Sequence, residues 1–331
     1  MTDLSRLKVT TSPHIHTSDN VSQIMLDVII ALIPALVVSV MVFGFRALVL
    51  TCISAVSCVV FEALYCLLLK KQVPVKDLSA VVTGILLAFC IPVSAPWWMV
   101  VAGAAFSIIV VKQLYGGIGK NFMNPALTGR AFMLASWPLL MTLWTAPKAA
   151  LPVIATPVDL VSSATPLSYI TNGNLPDASI TDVLLGMVGG SLGETSAIAL
   201  LAGGAYLVYR KVITLHIPLA YLGTVALITF AFPLGNLGHV ESMLYHLLSG
   251  GVMLCAIFMA TDYTTSPVTK WGRVIFGIGC GALTVFIRYF SAYPEGASYA
   301  VLIMNILVPL IEKVTIPRKF GLVKKTKKGA A

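Results

Sequence analysis

Apolar residues along this chain fall in long, nearly unbroken blocks; they neither alternate with polar residues nor keep to one helical face. Divided at clusters of charge, proline and glycine, the blocks give ten candidate spans. The first five cover roughly 24–44, 47–69, 78–93, 95–115 and 126–144, and the second five roughly 196–209, 212–233, 244–261, 272–290 and 297–312. A helix needs about 20 such residues to cross the hydrocarbon core. The blocks 78–93 and 196–209 are shorter, the length expected of half-helices that meet around a buried site. The pattern predicts an all-α polytopic membrane protein with ten transmembrane helices.

The halves echo each other. Leu78-Ser79-Ala80-Val81-Val82 opens the third block and Leu248-Ser249-Gly250-Gly251-Val252 lies early in the eighth, while Met123-Asn124 is echoed by Met304-Asn305. Five spans is an odd number, so the second half enters the membrane upside down relative to the first. The plan is two inverted five-helix repeats. It divides the chain into an amino-terminal segment with the first repeat (1–144), a long loop (145–195), and the second repeat with a basic tail (196–331). Gly189, Gly190, Gly203, Gly204, Gly250 and Gly251 lie in or beside the spans and are expected to let helices approach closely.

Composition agrees with the pattern. Of 331 residues, 58% are hydrophobic and 11% charged, about half the charged fraction of a soluble domain. The net charge of +9 does not point to nucleic acid, because the basic residues sit in short clusters between apolar blocks. Lys70, Lys71, Lys76, Lys112, Lys120, Arg210, Lys211, Lys270, Arg273 and the tail from Lys324 to Lys328 fall on one side, against Arg46, Lys148 and Arg288 on the other. The positive-inside rule then puts both termini in the cytoplasm and residues 145–195 outside it. Cys52, Cys58, Cys66, Cys90, Cys255 and Cys280 lack metal-ligand spacing and are expected to be packing residues. The first apolar block is too long for a cleaved signal peptide. None of the five histidines joins a metal-ligand constellation, and Trp97 and Trp98 suit an aromatic belt.

The chemistry is expected in the long loop, which contains Asp159-Leu160-Val161-Ser162-Ser163-Ala164-Thr165-Pro166. Proline pushes Thr165 toward an extended backbone, and in a polar turn its hydroxyl is expected to be exposed. This Asp-x-x-Ser-Ser-Ala-Thr run resembles the flavinylation motif shared by the D subunit of Rnf-type ferredoxin:NAD+ oxidoreductase and the B subunit of the sodium-translocating NADH:quinone reductase, with Ser163 where the motif usually has glycine. Further family signatures are Ser12-Pro13-His14, the run from Gly116-Gly117-Ile118-Gly119-Lys120-Asn121-Phe122-Met123-Asn124-Pro125 to Gly129-Arg130-Ala131-Phe132, and Met259-Ala260-Thr261-Asp262 with Ser266-Pro267. The resemblance is nearer to the Rnf-type protein, because the chain begins almost directly at the first signature.

The resemblance implies covalent FMN, joined by a flavin transferase through its phosphate to Thr165, with Asp159, Ser162, Ser163 and Ala164 as the rest of the motif. It implies a second, non-covalent flavin (riboflavin) near Asn121, Asn124, Gly116 and Gly117; the two asparagines equally suit helix capping. It further implies an ion-translocating redox complex in a bacterial plasma membrane, with membrane and peripheral flavin or iron–sulfur subunits as partners and Na+ or H+ as the coupling ion. Asp77 and Asp262 are candidates for an ion pathway, or simply helix-end carboxylates. Asp27 is placed near the headgroups, and Glu62, deeper, needs a partner such as a lysine. The rival reading is a permease or channel of the same inverted-repeat plan.

Overall fold

A computed structural model describes residues 20–71, 74–149, 152–154, 163–171, 176, 178–194, 196–235, 237–291 and 295–317. Asn20 opens α1 (Val21–Phe43), its backbone N–H donating to the Gln23 side chain at 3.2 Å. Gly44, at φ +79°, ends α1 and lets α2 (Phe45–Leu68) start at once. With α13 (Lys270–Phe290) and α14 (Ala297–Thr315), these are the four described helices long and apolar enough to cross a membrane singly. A fifth candidate is bent: α11 (His239–Leu248) and α12 (Val252–Met259) meet at 63°, the form of a broken span or a re-entrant loop. Many large apolar side chains face outward, Met41, Val56, Leu227 and Phe286 among them. That is the surface of a protein solvated by lipid or by neighbouring subunits. The chain is a polytopic membrane protein, and its regular structure among the described residues is helical.

The shorter helices account for the rest of the pattern. They are α3 (Ser79–Phe89), α4 (Trp97–Gln113), α5 (Pro125–Ser136), α6 (Pro138–Met141), α9 (Ala197–Tyr209) and α10 (His216–Ala231). The blocks 78–93 and 126–144 end sooner than hydropathy suggests, α3 at Phe89 and α5 at Ser136, where Trp137-Pro138 turns the chain. The last eight residues of α4 and the last five of α12 are wound as π-helix, a form that concentrates at functional sites.

Broken helices leave backbone groups that cannot stay unpaired away from water. Here other backbone and three buried arginines receive them. Beyond α3, Gly193 N–H donates to the Phe89 carbonyl (2.9 Å) and Leu192 N–H to that of Ile91 (3.0 Å). A side chain on Gly193 would strike Phe89, its Cβ lying 2.3 Å from the Phe89 Cβ. Arg130 Nε donates to the Cys90 carbonyl (2.9 Å). Arg46 reaches the carbonyls of Val93 (2.7 Å), Ala95 (2.9 Å) and Pro152 (2.6 Å). Arg288 gives the α11–α12 break the same support, donating to the carbonyls of His246 (2.5 Å), Ser249 (2.7 Å) and Gly250 (3.3 Å). Arg46 and Arg288 are therefore interior residues, 2% and 1% exposed, and not the loop charges that the sequence suggested.

The halves interlock along two seams. In the first, α1 packs on α9: Gly203 leaves room for the Ala31 carbonyl, 2.1 Å from a Cβ placed there. Across the same seam Asp27 accepts from the Tyr206 hydroxyl (2.9 Å) and pairs with Arg210 (3.2 Å). In the second, α5 meets α14, and the echoed asparagines touch. With its amide turned to satisfy both ends, Asn305 donates to the Thr265 carbonyl (3.0 Å) and accepts from Asn124 N–H (3.1 Å). Residues 145–195 contain two short helices, α7 (Pro166–Thr171) and α8 (Ile180–Leu185). They pack on α11 around Ile170, Val183 and Tyr245. Gly203→Val should force α1 and α9 apart and cost about 1–3 kcal/mol, read as a lower thermal midpoint in detergent; an unchanged midpoint would contradict the close contact.

Candidate functional site

Thr165 stands at the start of α7. Its hydroxyl accepts weakly from Ser168 N–H (3.3 Å), and its carbonyl takes the Ser168 hydroxyl (2.7 Å). The residue is 7% exposed, which corrects the expectation of an exposed hydroxyl. Docking of α7 on α11 buries it, so that it lines a pocket of about 20 Å³ with Gly189, Gly190, Glu194, Ser249, Gly250 and Glu295. Ser163 N–H donates to the Trp144 carbonyl (2.8 Å), its Oγ lies against Gly189, and Ala164 is exposed. Asp159 and Ser162 lie outside the described residues.

Charge gathers beneath this pocket. Arg130 pairs with Glu295 at 2.7 Å and donates to Ser298 Oγ at 2.5 Å, deep between the halves. Burial raises the Glu194 carboxyl above its usual range, and the nearby Arg130 guanidinium opposes this. Sequence reasoning missed Glu194, Glu295, Arg130 and Arg288 as site residues. The available signal was ionisable residues beside or within apolar blocks; Arg130 was read as part of a motif and Arg288 as a loop charge, and the two glutamates were not weighed.

A second, larger cavity of about 330 Å³ opens at the other ends of α3 and α12. Ser79, Thr83, Lys112, Asn121, Asn124, Thr261 and Asp262 give it polar walls; Val28, Leu86, Leu207, Ile213 and Phe258 give it apolar ones. Asn124 caps α5, accepting from Ala126 N–H (3.0 Å) and Leu127 N–H (3.2 Å), while its amide donates to the Met259 carbonyl (3.2 Å). The capping reading of Asn124 therefore holds, and Asn124 lines the cavity as well. Asn121 also lines it, with a buried side-chain oxygen that has no partner. Gly116 (φ +111°) and Gly117 (φ +89°) shape the turn after α4, and of that glycine run Gly119 lines the wall.

The two candidate ion-pathway acids separate. Asp262 lines the cavity and accepts from the hydroxyls of Thr264 (3.0 Å) and Thr265 (3.2 Å). Burial raises its carboxyl, and the threonine hydrogen bonds pull the other way. Asp77 ends a 3-10 turn, Val75–Asp77, and is not among the cavity-lining residues. Glu62 has the lysine partner it needs: Lys112 Nζ lies 2.7 Å away, both side chains are 2% exposed, and Gln113 donates to the same carboxylate (2.7 Å). Lys112 also donates to Ser79 Oγ (2.7 Å) and is thus a buried wall residue instead of a loop charge. Among the described residues no three His, Cys, Asp or Glu side chains gather as a metal-binding group.

Comparison with known proteins extends over nearly the whole chain. A family model described as the NQR2, RnfD, RnfE family matches residues 8–321. The D subunit of the Na+-translocating ferredoxin:NAD+ oxidoreductase complex of Acetobacterium woodii is 48% identical, over 98% of this chain and 98% of that protein. The D subunit of the proton-translocating ferredoxin:NAD+ oxidoreductase complex of Clostridium ljungdahlii is 40% identical, over 95% of this chain and 96% of its own. The D subunit of the ion-translocating oxidoreductase complex of Escherichia coli is 38% identical, over 95% and 98% respectively.

Removing one member of a buried ion pair leaves the other charge stranded. Lys112→Met should therefore destabilise the chain by about 3–5 kcal/mol, and Lys112→Met with Glu62→Leu by much less. Thermal midpoints of the single and double variants check this; equal losses in both would contradict a closed pair.

Proposed function

The chain belongs to the NQR2, RnfD, RnfE family, and on that premise we propose that it is the D-type membrane component of an ion-translocating ferredoxin:NAD+ oxidoreductase complex, carrying FMN joined through its phosphate to Thr165. The near-full-length similarity to three D subunits carries this reading. The position of Thr165 supports it. Among the described residues its hydroxyl has one weak hydrogen bond, at the edge of a pocket where Gly189 and Gly190 bring bare backbone close. A pocket of about 20 Å³ suits the oxygens of the link, and the tricyclic ring would need space outside it. When bound, a flavin accepts one or two electrons and so joins carriers of different kinds. The chain's own part is to fix the link at α7, hold that helix on α11, and set the charge around it through Glu194, Glu295, Arg130 and Arg288.

The cavity of about 330 Å³ suits a second, non-covalent flavin, riboflavin, since ligand sites of roughly this size pair apolar walls with a few polar groups. Asn121, with its unpartnered oxygen, would receive a donor edge of the ring. Asp262 on the same wall is a cation-binding carboxylate of the ion pathway. The relatives include one named for Na+ and one for protons, and either ion suits a lone carboxylate flanked by hydroxyls. The other subunits of the complex and a flavin transferase are the partners.

The ten-crossing inverted repeat belongs to the same reading. The α1–α9 and α5–α14 seams pair equivalent helices of the two halves, and buried arginines support the break in each half, Arg46 and Arg130 in the first and Arg288 in the second. With Arg46, Lys112 and Arg288 buried, the exposed Lys70, Lys71, Lys76, Lys120, Arg210, Lys211 and Lys270 still favour one side. They support cytoplasmic termini and an extracytoplasmic loop at 145–195, in a bacterial plasma membrane.

In-gel flavin fluorescence after denaturation should show a band near 35.2 kDa that disappears in Thr165→Ala. Fluorescence persisting in that variant would refute attachment at Thr165. Asn121→Ala should keep the band while lowering the flavin extractable from the folded complex; unchanged extractable flavin would remove the second site.

A further inference from the structure

Glu194 and Glu295 both line the Thr165 pocket, and they are not equivalent. Glu295 is held by Arg130 at 2.7 Å. Glu194 rests on the backbone of Gly251, where a Cβ would come within 2.3 Å of its carboxylate. The charged and titratable groups around Glu194 come from every neighbouring element: Arg130 on α5, Arg288 on α13, Glu295 ahead of α14, Cys90 after α3 and Cys255 on α12. The two arginines and two carboxylates balance. An electron arriving at Thr165 would upset that balance in a medium that screens charge poorly.

A buried polar stripe leads from the same pocket toward the first turn of α11, where His239, Val240 and Glu241 are exposed. Ser242 and His246, at i and i+4, share one side of α11, and Ser249 follows as the extended residue that ends the helix. These residues are 0%, 0% and 7% exposed; Ser242 lies against the Tyr289 hydroxyl, and among the described residues His246 Nε2 and Ser249 Oγ have no partner. His246 Nδ1 lies 3.4 Å from Arg288 Nη1. A guanidinium can only donate, so Nδ1 is the acceptor and the imidazole proton sits on Nε2. Buried donors of this kind take water as their partner. The stripe spans about 10 Å at 1.5 Å per residue, from the exposed first turn of α11 to Ser249 in the pocket wall.

We propose that Glu194 is a redox-linked protonation site for the group on Thr165, supplied with protons by water held along Ser242, His246 and Ser249. For each electron delivered to that group by a one-electron carrier of the complex, a hydronium ion gives one proton to the Glu194 carboxylate and becomes water. The carboxylate becomes a carboxylic acid, and the charge of the pocket is unchanged. When the electron leaves, the proton returns to water. Glu194 is a positioning residue for charge and need not touch the ring. The inference rests on flavin attachment at Thr165.

Reduced-minus-oxidised infrared difference spectra of the whole complex test it. Reduction should produce the C=O band of a newly protonated carboxyl, shifted in D2O, lost in Glu194→Gln and in Thr165→Ala, and moved in frequency by Glu194→Asp. A band that persists in Glu194→Gln, or that Glu194→Asp leaves unmoved, overturns the proposal. So does a wild-type complex with no such band although Thr165 carries fluorescent flavin. Absence of flavin from Thr165 itself would instead overturn the reading beneath it. His246→Gln, which keeps a donor, should retain the band but slow its appearance several-fold, with a larger solvent isotope effect; an unchanged rate overturns the proton route.

Discussion

Backbone released by a broken helix inside a membrane has to find partners within the protein, and three buried arginines are the partners around which this fold is built. A guanidinium carries five donors in a fixed fork. One side chain can therefore cap several carbonyls that point in different directions, as Arg46 and Arg288 do. Arg130 does this for Cys90 while also holding Glu295 and Ser298 of the other half. Half-helices can stop in the interior because these side chains meet them. A stopped helix is what opens space for a site.

The two candidate sites follow from that arrangement. Both α3 and α12 run from the larger cavity toward the Thr165 pocket, α12 over eight residues, or about 12 Å. At one end lie Ser79, Asn124 and Asp262; at the other lie the backbone turns at Cys90 and Gly250 with their arginines. The π-wound ends of α4 and α12 flank the larger cavity, where a looser helix can yield more readily than a regular one. Asn124 ties α5 to the end of α12, and Asn305 ties α14 to both Asn124 and Thr265. The cavity wall is thus shared by the two halves.

Much of this was legible in the sequence. The apolar blocks located most helices, and the echo of Met123-Asn124 in Met304-Asn305 picked out residues that meet. The need of Glu62 for a lysine was plain from the cost of burying a carboxylate, although the sequence could not show that Lys112 answers it. Helix ends were less legible, because hydropathy continues through Cys90–Val93 after the helix has stopped at Phe89. Arg46, Arg288 and Lys112 were misread as loop charges for a related reason: a basic residue near a block's edge looks the same whether it faces headgroups or caps a hidden carbonyl. Thr165 stood out in the sequence by its motif, but its burial depends on α7 docking on α11, a tertiary contact with no local signature. Glu194 belongs to no motif that was weighed, and only the convergence of five elements reveals it.

Peptide mass spectrometry on the chain purified from its native membrane tests the central claim most directly. The account predicts that the peptide containing Ser163-Ala164-Thr165 carries the added mass of FMN, with fragmentation placing it on Thr165. Recovery of that peptide only in its unmodified mass, from a complex that still transfers electrons, would contradict it.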